Sequence, residues 1–82
     1  MKKVLATEKA PAAIGPYSQA VRGGDYVYVS GQLPIDPATG AFAGEDIASQ
    51  TKQSLSNIKA ILESEGLSMA NVVKTTVLLQ NI

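Results

Sequence analysis

One long amphipathic segment, residues 46–65, sets the strongest constraint on how this chain folds. Five of its residues recur at spacings of four, four, three and four, which places them in one stripe along a helix. Ile61 widens this stripe. Gly66 is placed to take the left-handed position after the last turn. Such a helix must be covered by a sheet or by a second helix. The predicted buried stripe consists of Ile47, Thr51, Leu55, Ile58 and Leu62.

The remaining segments favour β-strands, so the predicted class is α+β. Two extended stretches, residues 17–22 and 26–31, are separated by Gly23-Gly24-Asp25, and these glycines favour an antiparallel hairpin. Residues 2–6 are predicted to form a short edge strand. Residues 72–80 carry apolar side chains on both faces, which predicts a central strand covered on both sides.

The strand predicted at residues 26–31 has two different faces, because side chains alternate along a strand. The valine face is expected to lie on the core, and the tyrosine face to meet water, a partner subunit or a ligand. The strand breaks where a small hydroxyl meets a residue without a side chain, and such an end can form a pocket floor. The tyrosine face holds Tyr26, Tyr28 and Ser30, and the valine face holds Val27, Val29 and Gly31.

Two irregular segments flank the predicted hairpin. Residues 10–16 contain two prolines and one glycine, which predicts a stiff, extended connector that wraps a surface or borders a site. Residues 36–40 read Asp-Pro-Ala-Thr-Gly, a sequence typical of a turn. Residues 41–43 are expected to pair back briefly on the segment before that turn.

Size and composition limit both the fold and the chemistry. Residues 1–82 are predicted to form a single, incomplete domain whose small core, without disulfides, depends on oligomerisation. The absence of cysteine and histidine excludes thiolate nucleophiles, imidazole bases and nearly all zinc sites. Seven basic residues balance seven acidic ones, which disfavours nucleic-acid binding. No apolar run approaches the ~20 residues of a membrane span, so we expect a cytoplasmic protein.

Four short motifs occur in one order along the chain. They are Ile14-Gly15-Pro16-Tyr17-Ser18-Gln19-Ala20, Ser30-Gly31-Gln32-Leu33-Pro34, Asp36-Pro37-Ala38-Thr39-Gly40 and Val73-Lys74-Thr75-Thr76-Val77. Together they resemble the reactive intermediate deaminase family, also called the RidA or YjgF family, across residues 1–82. The order of several motifs is far more specific than any one of them.

The resemblance implies a chorismate-mutase-like α+β fold, with a mixed sheet carrying helices on one face. It also implies a homotrimer whose sites lie in clefts between subunits. Family members hydrolyse enamines and imines of the 2-aminoacrylate and 2-iminopropanoate type to a 2-keto acid and ammonia. They use no cofactor, so none is expected here.

Three residues take on roles through the resemblance, and each has a structural alternative. Tyr17 and Ser30 match residues that line the family's cleft, and Gly31 matches a position where backbone approaches the ligand. From the sequence alone, Tyr17 is equally a packing tyrosine, Ser30 a strand-end hydroxyl bonded to backbone, and Gly31 the site of a bulge. No histidine or lysine adjoins Ser30 in the sequence, so it is assigned to binding rather than nucleophilic attack.

The family's carboxylate-binding arginine and its water-positioning glutamate fall beyond Ile82, and Arg22 does not match that arginine. The second helix and last strands of the family pattern also fall beyond this point. We therefore expect an enamine/imine deaminase whose 82 residues alone have weak activity or none. The alternative is a non-catalytic, oligomeric module that binds small metabolites or acts as a chaperone. Lys74, on the predicted central strand, is expected to be partly buried and to need a partner.

Overall fold

The computed structural model describes residues 2–78, which form a three-stranded antiparallel sheet with one long helix on one face. The strands are β1 (Lys2–Leu5), β2 (Ala20–Gly23) and β3 (Tyr26–Val29), in the order β1-β2-β3. Helix α1 spans Ile47–Ser64, and a 3-10 turn follows at Met69–Asn71. These elements confirm the α+β class and the short strand predicted at residues 2–6.

Strands β2 and β3 form the predicted hairpin, joined by the two-residue turn Gly24-Asp25. Gly24 has a φ of +61°, a conformation that side-chain-bearing residues rarely adopt, so glycine is required here. Strand β2 begins three residues later than the strand predicted at residues 17–22, because its pairing with β3 ends at Ala20 and Val29.

The core lies between one face of the sheet and the C-terminal half of α1. Leu5, Ala20 and Val29 stand in register across the three strands, and fully buried Ile61 of the helix belongs to the same cluster. Val27 also packs against this cluster, so the prediction that the valine face of β3 lies on the core is confirmed. The tyrosine face of β3 is exposed, as predicted.

Both ends of α1 are capped by local hydrogen bonds. The Asp46 carboxylate accepts from the backbone N–H of Ser49 at 2.9 Å, and this bond holds the pKa of Asp46 below its ordinary value. At the other end Gly66 has a φ of +76°, and the Leu67 N–H reaches back to the Leu62 carbonyl at 2.9 Å. These caps explain why the helix bounds follow the sequence prediction closely.

The predicted buried stripe of α1 is wrong over its first half. The buried residues are Asn57, Ile61 and Leu62, whereas Ile47 and Leu55 are 59% and 45% exposed. Four-residue strands extend only about 13 Å, while an 18-residue helix extends about 27 Å. The sheet therefore covers only part of the helix. The exposed residues at its start line an open groove of about 560 Å³.

The strand predicted at residues 72–80 is absent over residues 72–78, and residues 79–80 lie outside the described part of the chain. Val73 and Val77 are 86% and 71% exposed. An extended segment becomes a strand only when it pairs, and no strand within residues 2–78 lies beside this one. Lys74 is exposed for the same reason, contrary to the partial burial expected for it.

The turn predicted at residues 36–40 is confirmed. The Gly40 N–H donates to the Asp36 carbonyl at 2.8 Å, and Gly40 takes a positive φ of +74°. A single antiparallel bridge joins Ile35 to Phe42, which confirms the brief return pairing predicted for residues 41–43.

An ion cluster connects the end of α1 to the sheet. Lys3 and Arg22 face each other across β1 and β2, and both contact the Glu65 carboxylate, at 3.2 and 3.3 Å. The Glu65 side chain is only 10% exposed. The hydrogen bond from Lys3, followed by that from Arg22, holds the pKa of Glu65 below its ordinary value despite opposing desolvation.

We expect Glu65→Gln to destabilise the chain in a pH-dependent way. A carboxylate whose folded-state pKa is lowered contributes stability above its unfolded pKa, about 4.3, and loses it as the pH falls through the folded value. The difference in unfolding free energy between wild type and E65Q is therefore largest near pH 7 and closes in acid. Urea unfolding across this pH range measures it, with the exposed Glu63→Gln as the control. A pH-independent difference would contradict the role of the ion cluster.

A second prediction compares two isoleucines on the same helix. Ile61→Ala should lower the unfolding free energy by about 2–5 kcal/mol, because it opens a cavity in the core. Ile47→Ala should cost less than about 1 kcal/mol, because most of that side chain already meets water. Urea unfolding followed by far-UV circular dichroism measures both variants. Equal losses would show that the buried face of α1 is assigned wrongly.

Candidate functional site

Tyr17 lies between the connector and β2 and is half exposed. The Tyr17 N–H donates to the Gly15 carbonyl at 2.9 Å, which closes a tight turn around Pro16. Gly15 has a φ of +116°, a conformation that side-chain-bearing residues rarely adopt. The proline and the glycine together fix where the tyrosine side chain leaves the backbone.

An open groove of about 630 Å³ lies beside Tyr17. Two segments of the chain line it, residues 4–8 with 10–13 and residues 17–19, and we call these segments its two walls; Pro37 also contributes. Most of the lining side chains are small and apolar, with alanine and proline prominent. The connector predicted to border a site does line this groove. The volume suits a small molecule, with the phenol of Tyr17 as one of few polar groups.

Ser30 follows β3 and is bonded to the segment that carries Tyr17. Its N–H donates to the Gln19 carbonyl at 3.0 Å, and its hydroxyl donates to the Ser18 carbonyl at 2.5 Å. The hydroxyl is therefore bonded to backbone, which was the predicted structural alternative to a binding role. Ser30 does not line the groove. Neither of its contacts is a general base that could activate it as a nucleophile.

Gly31 is exposed, and no atom lies within 4 Å of the position that a β-carbon would occupy. Its backbone is therefore open to approach from outside, although Gly31 does not line the groove. The structure thus joins Ser30 to the Tyr17 segment through hydrogen bonds. It leaves Gly31 on an adjacent open surface.

Gln19 lines the groove, although no role was predicted for it from the sequence. It is only 4% exposed, and its side-chain nitrogen donates to three carbonyls, those of Thr7, Ala10 and Pro11, at 3.1, 3.3 and 2.7 Å. Its side-chain oxygen accepts from the Thr7 N–H at 2.7 Å. These bonds fix one wall of the groove against the other. The sequence feature that could have predicted this role is the proline-containing connector. It cannot pair as a strand, so its carbonyls need a side-chain donor.

Asn57 holds the segment after Gly31 through similar side-chain hydrogen bonds. From a buried position on α1, its amide donates to the carbonyls of Leu33 and Ile35 at 3.1 and 3.0 Å. Its oxygen accepts from Gln53 at 2.9 Å, so the carboxamide is bonded at both ends. Asparagine in the middle of an amphipathic helix was the sequence signal for this contact, because it is a weak helix former.

The charges near the groove limit its chemistry. Its lining includes one carboxylate, Glu8, and no lysine or arginine. Arg22, the chain's single arginine, is bound to Glu65 at the end of α1. Within residues 2–78 no group of three or more carboxylates could hold a metal ion, and no helix there is long and apolar enough to cross a membrane.

Comparison with known proteins identifies relatives along the whole chain. A family model described as Endoribonuclease L-PSP matches residues 7–82. The 2-iminobutanoate/2-iminopropanoate deaminase of Salmonella typhimurium is 55% identical over all 82 residues, which cover 63% of that protein. A RutC family protein of Pyrococcus horikoshii is 52% identical over the same residues, which cover 65% of it. The chain thus spans somewhat less than two thirds of these relatives' length.

Solved structures agree with this assignment. The YjgF gene product of E. coli superposes with a TM-score of 0.82 at 51% identity, over 87% of this chain and 55% of that one. E. coli TdcF with bound serine superposes with the same score at 44% identity, again over 87% and 55%. The motifs, the YjgF-type fold and the identity to proteins named as imine deaminases point to one conclusion: the chain belongs to the family described as Endoribonuclease L-PSP, which is the RidA/YjgF family that its motifs resemble.

Proposed function

We propose that this chain is part of a hydrolytic deaminase for reactive enamine and imine acids of the 2-iminobutanoate and 2-iminopropanoate type. The observation that carries the proposal is 55% identity, over all 82 residues, to a Salmonella protein named for this activity. The bound serine in related TdcF adds support. Serine has the same three-carbon acid skeleton as 2-iminopropanoate.

The proposed reaction needs only water and the substrate. Water adds to the imine carbon, and the π-electron pair moves to nitrogen, which takes up a proton. The added water loses one proton to give the carbinolamine. The carbinolamine hydroxyl then passes its proton to the nitrogen as the C–N bond breaks, the 2-keto group forms and ammonia leaves. The protein's part is to hold the acid, position the water and supply the proton, so no cofactor is proposed.

Tyr17 is the residue that we assign to contact the substrate through a polar side-chain group. Tyr17 is half exposed and lines a mostly apolar groove, so its hydroxyl is available to hydrogen-bond a substrate there. Ser30 is assigned to binding and to holding the Tyr17 segment, since its hydroxyl contacts the Ser18 carbonyl. Gly31 offers open backbone beside them.

These 82 residues are proposed to hydrolyse imines slowly by themselves. A bidentate arginine is the strongest way to bind a carboxylate, and Arg22 is bound to Glu65 instead. We further propose that the family's homotrimer, with clefts between subunits, is the active assembly and that the protein is cytoplasmic. A metabolite-binding module without turnover is the outcome that would replace the deaminase.

Keto-acid release from freshly generated 2-aminoacrylate tests this proposal. We expect a rate above the spontaneous reaction but well below that of the Salmonella deaminase at equal concentration. A rate equal to that of the relative would contradict the proposed weakness of the 82-residue chain. Product binding without any acceleration would replace the deaminase with the binding module.

A pair of tyrosine variants tests the role of Tyr17. Tyr17→Phe should lower kcat/KM by on the order of 10- to 100-fold, because it removes a proton donor at the groove. Tyr26→Phe removes the same hydroxyl from an exposed tyrosine on β3 that does not line the groove, and should leave kcat/KM unchanged. Similar rates for wild type and Y17F would exclude Tyr17 from the reaction.

A further inference from the structure

Gln19 is bonded both to the connector and to Ser30, and its own segment carries Tyr17. Its side chain is buried and bonded to the connector wall of the groove, while its backbone carbonyl accepts from the Ser30 N–H. It stands two residues after Tyr17 on the opposite wall. No other side chain described within residues 2–78 bonds to three carbonyls.

We infer that Gln19 is a positioning residue, whose carboxamide sets the distance between the Tyr17 wall of the groove and the wall of residues 7–11. The connector cannot set this distance by itself. Pro11 has no N–H, and the carbonyls of Thr7, Ala10 and Pro11 accept from the Gln19 amide rather than from a neighbouring strand. The Thr7 N–H donates to the Gln19 side-chain oxygen, so the carboxamide is bonded through both its nitrogen and its oxygen.

The inference rests on the proposed function for its catalytic consequence. Buried donors and acceptors that lose a partner move or admit water, because leaving them unpaired is unfavourable. A change in the Gln19 amide should therefore shift Tyr17 relative to the opposite wall. The substrate would then bind less well, while the reaction of the bound substrate changes less.

Gln19→Glu isolates the donor function of the amide. The variant keeps the size of the side chain but points a second acceptor at three carbonyls. At pH 8 the introduced carboxylate repels them, and we expect KM to rise on the order of tenfold with a smaller change in kcat. At pH 5 to 6 the buried carboxyl takes up a proton, which restores one donor, so KM should return towards the wild-type value. Gln50→Glu, on α1 and outside the groove, is the matched control and should show no such pH dependence.

Thermal unfolding of the same samples separates positioning from folding. A wild-type KM for Q19E at pH 8, or a loss of rate that merely follows the folded fraction at each pH, would overturn the inference. If Q19E is unfolded at pH 8, Gln19→Asn replaces it. That variant withdraws the amide by one methylene group without adding charge, and the same rise in KM is expected.

A measurement without ligand keeps the inference distinct from the proposed function. If wild type shows no turnover, the proposed function fails, and NMR of the free chain then tests Gln19 directly. In Q19E, the Tyr17 ring signals should shift with pH, with the midpoint at which the introduced carboxyl ionises. Unchanged Tyr17 ring signals in Q19E would contradict the positioning role of Gln19, whatever the outcome for catalysis.

Discussion

Two buried carboxamides hold the irregular segments of this fold, and the candidate site depends on them. Gln19 bonds the connector that precedes β2, and Asn57 bonds the loop that follows Gly31. These segments have few strand partners of their own, yet their carbonyls lie against the core, where an unpaired polar group costs about 1–3 kcal/mol. A side-chain amide offers both a donor and an acceptor, so one residue can satisfy several backbone groups.

The regular part of the structure provides the frame for those amides. Ile61 joins α1 to the sheet through the row formed by Leu5 and Ala20, and Glu65 joins the end of the helix to cations on two strands. The apolar contact supplies most of the stability, since ion pairs near the surface contribute little. The ion cluster instead fixes where the helix ends relative to the sheet. That position brings Asn57 to the loop that it holds.

The chemistry proposed for the site does not require a strongly activated side chain. An imine carbon reacts with water readily, so positioning contributes more than strong acid or base groups. This agrees with a groove that offers one phenol, one carboxylate, several small apolar residues and backbone held by hydrogen bonds. It also explains how a chain without histidine or cysteine can belong to a family that includes enzymes. Within the described residues, no lysine or arginine lines this groove to bind the carboxylate of the proposed substrate.

The sequence by itself determined the local elements: the helix at residues 47–64, the hairpin around Gly24 and the turn at residues 36–40. Caps, glycines and prolines act over a few residues, so their effects can be predicted without the rest of the fold. Tertiary structure decided which helix face is buried, what Gln19 bonds to, and that residues 72–78 remain unpaired. Each of these outcomes depends on a partner distant in sequence, and such a partner is set only when the chain packs.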